Sequence, residues 1–346
     1  MGKIVLINFD LTEDFNRWQD FIYSRDDTHC TDLAQWRLFF KELYGIQNFS
    51  YAYVENNQFL GVISLYLIRS PFMGKMLISS PFFGYGGLYS DKNEVQEVLS
   101  QKIENVAQKF KVDFIEIRLR KILPPPFKVN TDFLEYDLNL LDTPEKVWEK
   151  QLSSNVRQNI RKSGNYKLEF SPSSHFRLCY KLLSHTIRDL GTPFHSIKFF
   201  KLINKYLKND VFFSTIKYHN KVVAGGIVIK FKNSISTPYI GSIKKYRNMM
   251  TNYFLYWKLI KHCFKLNVKR FEFGRSPKGS THIHFKKKWG GEEIPIFYNY
   301  KILNPKKKYK SVSNPSKIFL FATQIWKRIP LSFTRFLGKY LFRYVP

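Results

Sequence analysis

Arg275, Ser276, Lys278, Lys286 and Lys287 stand close together in the stretch Lys269–Gly291, KRFEFGRSPKGSTHIHFKKKWGG, and each can meet an anion. Arg270–Phe273 alternates as a buried strand end does, and Gly274 breaks the alternation. Arg275–Ser280 then forms a polar turn rich in backbone donors, followed by a helical run from about His282 to Trp289 that Gly290 and Gly291 stop. Phe285 and Trp289 are one helical turn apart, so one face can anchor in a core while Lys286 and Lys287 turn away from it. An ammonium mounted on such a helix, beside a strand-to-loop opening, suits an anionic group in a cleft of an α/β fold. The plainer alternative is a solvated lysine run after an ordinary strand.

A second basic pair lies in Thr143–Gly164, TPEKVWEKQLSSNVRQNIRKSG. Thr143 is a suitable N-cap, Pro144 a favoured first helical residue and Gly164 a terminator, which predicts one helix across the segment. Trp148, Leu152, Val156 and Ile160 step by four along one face, and Arg157 and Arg161 share an adjoining one. Like charges held together in this way call for a nearby anion or ample water.

Other chemistries find less support. His282 and His284 have no third ligand at a fitting spacing, so no metal site is expected, and neither a GxSxG nor a P-loop occurs. Cys30, Cys179 and Cys263 are odd in number and far apart, which argues for core thiols in a reducing compartment rather than a disulfide framework or zinc site.

The 346 residues are 44% hydrophobic and 17% aromatic, enough for one large core or two. A net charge of +29 predicts attraction to polyanions: RNA, anionic lipid or a phosphorylated small molecule. From Ile294 to Pro346 there are eleven Lys or Arg and no acidic residue. No window is apolar enough to span a membrane, and MGKIVLINFD is too short of apolar residues for a signal-peptide core, so a cytoplasmic protein is expected.

The elements that would position these residues occur twice in the same order. Two helices within Asp14–Tyr44 precede a hairpin at Ser50–Val54 and Gly61–Ile68, joined through Asn56 and Asn57. Lys75–Ile78 then leads into PFFGYGG at Pro81–Gly87, with a helix over Asn93–Phe110, a strand at Asp113–Arg118 and a Pro124–Pro126 breaker. In the second half, helices at His175–Leu190 and Ser196–Leu207 precede a hairpin of Val211–Lys217 and Val222–Lys230 across His219 and Asn220. Ser234–Ile240, Thr251–Phe264 and Val268–Phe273 complete that half. Asn57 to Asn220 is 163 residues and Pro81 to Pro238 is 157, the near-constant offset of a duplicated α/β unit.

Five motifs in order make the chain resemble the FemAB-type transferases. They are NVRQNIRKSG at Asn155–Gly164, LGTPFHSIKFF at Leu190–Phe200, PYIGS at Pro238–Ser242, NYFLYW at Asn252–Trp257 and FGRSPKGSTHIHFKKKWGG at Phe273–Gly291. PFFGYGG also fits, and the chain is especially similar to the FemAB-like branch found with bacterial exopolysaccharide and exosortase systems. The resemblance implies an α/β fold of two tandem GNAT-like domains, mixed sheets flanked by helices, with the acceptor in a cleft of the second domain near the interface. Well-studied relatives transfer an amino acid from aminoacyl-tRNA to the amine of a peptidoglycan precursor. Lys286 matches a lysine that faces substrate phosphate or the developing oxyanion, and Tyr239 an aromatic residue of the acceptor cleft. His195 stands where some relatives carry a phosphate-gripping arginine, and Phe199 replaces a cleft tyrosine. Asn252, at the head of NYFLYW, joins Arg157, Arg161, Arg275 and Ser276 among the substrate-binding candidates.

Acyl transfer needs an amine nucleophile, a place for the carbonyl oxygen to gain charge and a proton acceptor. Lys286 suits the second need, while Asp189, Glu272 and His195 are candidates for the third. Acyl-CoA is the rival donor, since a GNAT-like strand-loop-helix can hold pyrophosphate on its amides. The corresponding loop, KKYRNMMTN at Lys244–Asn252, puts Met249 and Met250 where small residues would let the backbone approach.

The expected organisation is therefore a first GNAT-like domain over residues 1–141, a second over 142–303 and a basic amphipathic helical tail over 304–346. The expected reaction is acyl or aminoacyl transfer to an amine of a phosphate-bearing cell-envelope precursor, with aminoacyl-tRNA or acyl-CoA as donor substrate and no resident cofactor. The tail, beginning PKKKYK and split by Pro330, suits an anionic membrane surface, packing onto the first domain, or RNA. The competing class is a GNAT-like binding module without chemistry.

Overall fold

The computed structural model describes residues 2–71, 73–309 and 317–344. The opening of the expected tail therefore lies partly outside the described residues, at 310–316. The chain divides into two compact units: Met1–Asp132 with Pro295–Asn314 and Arg343–Pro346, and Phe133–Ile294 with Pro315–Phe342.

The first unit begins with β1 (Lys3–Leu6), α1 (Thr12–Ser24), α2 (Gln35–Tyr44), β2 (Gln47–Glu55), β3 (Gln58–Ser70), β4 (Gly74–Ile78), β5 (Leu88–Ser90), α3 (Asn93–Lys109) and β6 (Phe114–Leu119). β2 and β3 form the expected hairpin, and Asn56 and Asn57 both take positive φ (49° and 63°), as a two-residue hairpin turn matched to strand twist requires. α3 crosses over between β4 and β6, which pair in parallel. Its buried positions Val95, Leu99, Ile103 and Val106 recur at helical spacing and pack on Leu65, Leu77 and Ile115 of the sheet.

The remaining elements are β7 (Lys128–Asn139), α4 (Pro144–Lys146), α5 (Ser154–Ser163), β8 (Leu168–Ser171), α6 (Phe176–Leu190), α7 (Ile197–Tyr206), β9 (Val211–Tyr218), β10 (Lys221–Phe231), β11 (Ser234–Ser242), α8 (Thr251–Lys265), β12 (Arg270–Glu272), β13 (Ser276–Pro277), α9 (Thr281–Lys287), β14 (Glu292–Ile302), α10 (Lys317–Arg328) and α11 (Leu331–Leu341). The topology of the first unit is repeated here. His219 and Asn220 turn the β9–β10 hairpin with φ of 45° and 63°, and α8 crosses over between β11 and β12, again a parallel pair. The first unit's strands run β1-β2-β3-β4-β6-β14 with β5 on β3, and the second's run β7-β12-β11-β10-β9-β8 with β13 on β7. Both are mixed sheets with helices on their faces, the duplicated α/β unit that the sequence order predicts.

The boundaries expected at residues 141 and 303 differ from those of the two units, for a reason set by strand pairing. β7 follows β6 in sequence, yet its later residues pair with β12, Asp137 opposite Glu272. β14 follows α9, yet Phe297–Ile302 pairs with β6. Each of these strands thus belongs to a sheet other than the one its sequence neighbours build.

Two further expectations are corrected. The single helix expected over 143–164 is interrupted: Thr143 caps α4, Val147–Gln151 widens into a π turn, Leu152 is extended, and Ser153 caps α5 by accepting from the Val156 amide. The break lets Val147, Leu152, Val156 and Ile160 all enter one core with Leu255, Leu259 and Trp289. The tail does not pack as a separate third segment. α10 and α11 lie on α6, with Trp326 and Thr334 buried and Arg335 Nε donating to Ser184 Oγ at 3.0 Å. Among the described residues, no helix is long and apolar enough to cross a membrane.

Candidate functional site

The site is built where β12 ends. Gly274 takes a φ of 74°, turning the chain so that Ser276 and Pro277 pair with Leu134 and Phe133 of β7 before α9 starts. α9 is short but firmly held: Ile283 and Trp289 are buried, and the Phe285 ring lies 5.1 Å from Tyr253 and 5.5 Å from Tyr256 of α8. Aromatic packing thus fixes the helix, as the Phe285–Trp289 spacing implies.

Lys286 does not turn away from the core with Lys287 but is only 6% exposed, which also sets aside the solvated-run alternative for it, whereas Lys287 and Lys288 are exposed. The reason is local. Its Nζ donates to the Gly274 carbonyl and, at 2.9 Å, to Ser276 Oγ, so the turn before the helix satisfies two of the three ammonium hydrogens. Burial pushes the Lys286 pKa down to about 8, and the negative charge of Glu135 on β7 resists that fall. At neutral pH the group is an ammonium with one N–H left over and a proton that can be lost just above pH 8.

Arg275, half-buried, lies with its guanidinium 5.4 Å from the Phe133 ring centre. Burial pushes the Tyr239 hydroxyl well up, and the positive charge of Arg275 partly offsets this. Tyr239 in turn hydrogen-bonds His195, Oη to Nε2 at 3.0 Å. His195 is buried and its pKa is pushed well below the usual histidine range by burial, which keeps the ring neutral. Phe199 stacks on it at 3.5 Å and 12°, and Phe342, at the end of α11, lies 3.8 Å away on a tilted ring. A neutral, ring-enclosed imidazole does not replace an arginine as a grip on phosphate. The cavity beside it, about 10 Å³ and close to the size of one water, is lined by Ser184, Arg188, Phe194, Trp326 and Arg335 among others.

Lys286 and Ser276 thus form one contact group and Tyr239 and His195 another, and Arg275, next to Ser276 in the chain, acts on Tyr239 through its charge. Arg157 and Arg161 lie beside the helix break: Arg157 Nη1 donates to the carbonyls of Trp148, Glu149 and Leu152, closing the π turn, and the exposed Arg161 places its guanidinium 5.5 Å from the Trp148 ring. Asn252 opens α8, beside Tyr253, and its Oδ1 has no hydrogen-bond partner among the described residues. Thr251, 1% exposed, has an equally unpartnered hydroxyl at the same helix start, which carries no side-chain cap.

Of the candidate proton acceptors, Asp189 is held by Arg188 at 2.7 Å on α6, and Glu272 is fully buried with Oε1 3.1 Å from Arg270 Nε. Sequence reasoning missed Glu135 and Thr251. The clue for Glu135 was available in KVNTDFLEYDLN, which alternates as a strand does and so places Glu135 and Asp137 on one face. No group of three or more His, Cys, Asp or Glu among the described residues is arranged to hold a metal ion.

Comparison with known proteins agrees with this architecture. Residues 150–287 match the sequence pattern of the acetyltransferase (GNAT) domain. The fold is that of tandem GNAT proteins. FemX superimposes with a TM-score of 0.68 at 14% identity, over 88% of this chain and 98% of its own. A tandem GNAT protein from the clavulanic acid biosynthesis pathway gives 0.58 at 8% identity, over 92% and 100%. Saccharomyces cerevisiae N-myristoyltransferase with bound myristoyl-CoA gives 0.51 at 11% identity, over 89% and 86%. Comparison with curated proteins gives no sequence match.

Proposed function

We propose that this protein is an acyl or aminoacyl transferase that forms an amide on an amine of a phosphate-bearing cell-envelope precursor. The observation that carries the reading is the buried Lys286 ammonium, oriented by Gly274 and Ser276 and held on an aromatic-anchored helix. The acceptor amine attacks the carbonyl carbon of the donor ester, and the carbonyl oxygen gains negative charge. The remaining N–H of Lys286 donates to that oxygen. A charge already in place and excluded from water costs little reorganisation, and one such contact is worth about 3 kcal/mol of barrier. As the tetrahedral species collapses, the C–N bond stays, the ester C–O bond breaks, and the proton lost by the amine passes to the leaving hydroxyl. Arg275, whose charge reaches Tyr239 and whose guanidinium lies on the Phe133 ring, is the residue this reading assigns to a substrate phosphate or carboxylate.

Aminoacyl-tRNA is the donor this reading favours. The resemblance to the FemAB-type transferases, whose well-studied members use that donor, supports it, as do the +29 charge and the sequence of the Lys244–Met249 turn, which ends in Met249 and Met250 rather than in small residues. Acyl-CoA is the second reading, and one observation favours it: the uncapped start of α8 with the buried, unpartnered Thr251 hydroxyl offers donors to a pyrophosphate. Here a thioester C–S bond breaks instead.

The test is transfer to an amine-bearing, pyrophosphate-linked muropeptide from radiolabelled aminoacyl-tRNA and, separately, from acetyl-CoA. Transfer that Lys286→Ala lowers about a hundredfold supports the assignment. Turnover unchanged by that substitution removes Lys286 from the mechanism, and no transfer from either donor favours a binding module.

A further inference from the structure

α10 and α11 each have two faces. The inner faces pack on α6 and its surroundings: Trp326 and Thr334 are buried, the Ile329 carbonyl accepts from Arg188, and Gly338 lies so close to the Phe194 carbonyl that a Cβ there would approach it to 2.4 Å. The opposite faces carry large apolar side chains into solvent. Leu320, Phe321 and Ile325 are 51%, 67% and 49% exposed on α10, and Phe333, Phe336 and Tyr340 are 62%, 55% and 48% exposed on α11. Phe321 and Ile325 are one turn apart, and Phe333, Phe336 and Tyr340 follow at i, i+3 and i+7, so each set is a stripe that points away from α6.

From the pattern of exposure and charge we infer that the outer face of α10–α11 docks on an anionic lipid bilayer. The sequence from Lys317 to Tyr344 contains six Lys or Arg and no Asp or Glu. Lys327, Arg328 and Arg343 are exposed. A helix with a wide apolar stripe and only basic charge lies in the bilayer surface, its rings at the acyl boundary and its cations among the phosphates. The charge selects this occupant over two others. A second copy of the same face would bring the exposed Lys327, Arg328 and Arg343 against their own counterparts, with no Asp or Glu between Lys317 and Tyr344 to answer them. RNA would use the cations but gains no stacking from Leu320 and Ile325. The inference stands apart from the reaction, because none of the outward residues belongs to the Lys286 or His195 groups.

Sedimentation with vesicles tests it, using phosphatidylcholine alone and phosphatidylcholine with about one third phosphatidylglycerol. The full chain should bind the mixed vesicles, bind phosphatidylcholine at least about tenfold less, and be released by raised salt. The double variant Phe321→Ser/Phe333→Ser should bind the mixed vesicles at least about tenfold less with an unchanged melting temperature. The inference is overturned if the full chain fails to sediment, or if the variant binds as well as the parent. It is also overturned if the variant converts a dimer to a monomer in gel filtration, or abolishes binding to an RNA homopolymer, while leaving vesicle binding intact.

Discussion

Ser276 and Lys286 are ten residues apart and belong to different elements, yet their side chains meet at 2.9 Å inside the second unit. The hydroxyl and the Gly274 carbonyl together aim an ammonium whose burial would otherwise disfavour its charge. A lysine with its pKa depressed to about 8 has two measurable signatures, one in rate and one in stability.

The first concerns rate. If the ammonium donates to the oxyanion, kcat/KM measured with an ester-linked donor should fall as pH rises through about 8. Lys286→Met should lower kcat about a hundredfold, with KM much less affected, and should flatten that alkaline limb. A rate that instead rises through pH 8 would assign Lys286 as the base.

The second concerns stability. Between pH 8 and 10.5 the unfolded lysine still holds its proton and the native one has lost it, so the unfolded state binds more protons and stability rises with pH across that window. Denaturant unfolding of Lys286→Met should lack this rise. An identical pH slope in parent and variant would show that the group titrates normally.

Glu135 supplies a subtler test. Its charge raises the Lys286 pKa against the larger effect of burial. Glu135→Gln removes that charge at nearly constant shape, so the alkaline limb should move to lower pH with KM little changed. A merely structural glutamate would alter stability and leave the limb in place.

How much of this the sequence disclosed follows from which residues obey local rules. The two hairpins, the crossover helices and the aromatic anchors of α9 were legible because periodicity and turn chemistry agree there, down to Asn56–Asn57 and His219–Asn220 at the turns. β7 and β14 were not. β7 does alternate, at Leu134, Tyr136 and Leu138, but it buries its polar face as well, taking Glu135 and Asp137 into the interior, and β14 contains Pro295, which reads as a strand breaker. The buried position of Lys286 was hidden for a similar reason: a KKK run reads as solvated, and only the Gly274–Ser276 turn, folded back beneath the helix, provides its acceptors. The break beside Arg157 and Arg161 was hidden in the opposite sense, since the interrupted helix looks continuous in its spacing.

His195 gives a prediction on the acid side. Its native pKa lies well below 6.5, so as pH falls below 6.5 the unfolded chain takes up a proton that the native chain refuses, and stability is lost. Phe342→Ala should open the ring to water and bring its pKa back toward the usual value, reducing that acid sensitivity at a cost of about 2 kcal/mol in packing at neutral pH. An NMR titration of the imidazole checks it. An unmoved His195 resonance in the variant would show that Phe194 and Phe199 exclude water without help from the tail.

Gly290 tests whether the mount of Lys286 depends on the broken helix before it. The residue takes a φ of 78°, and a Cβ there would stand 2.3 Å from the Gln151 carbonyl oxygen, backbone that cannot move aside as a side chain would. Gln151 ends the π turn that Arg157 closes, and the neighbouring Ser153 amide donates to the Lys288 carbonyl at 3.2 Å, so α9 is tied to the chain break at both positions. Gly290→Ala combines left-handed backbone with this collision and should destabilise the protein by roughly 2–4 kcal/mol. Because Trp289 is the adjoining residue and is fully buried, the strain should also displace α9, and kcat should fall even at temperatures where the variant is folded. Gly291→Ala, where the Cβ would come no closer than 3.0 Å to the Asp137 carbonyl oxygen, is the control and should cost markedly less. Equal losses in the two variants would mean that the break at Leu152 does not set the position of the lysine.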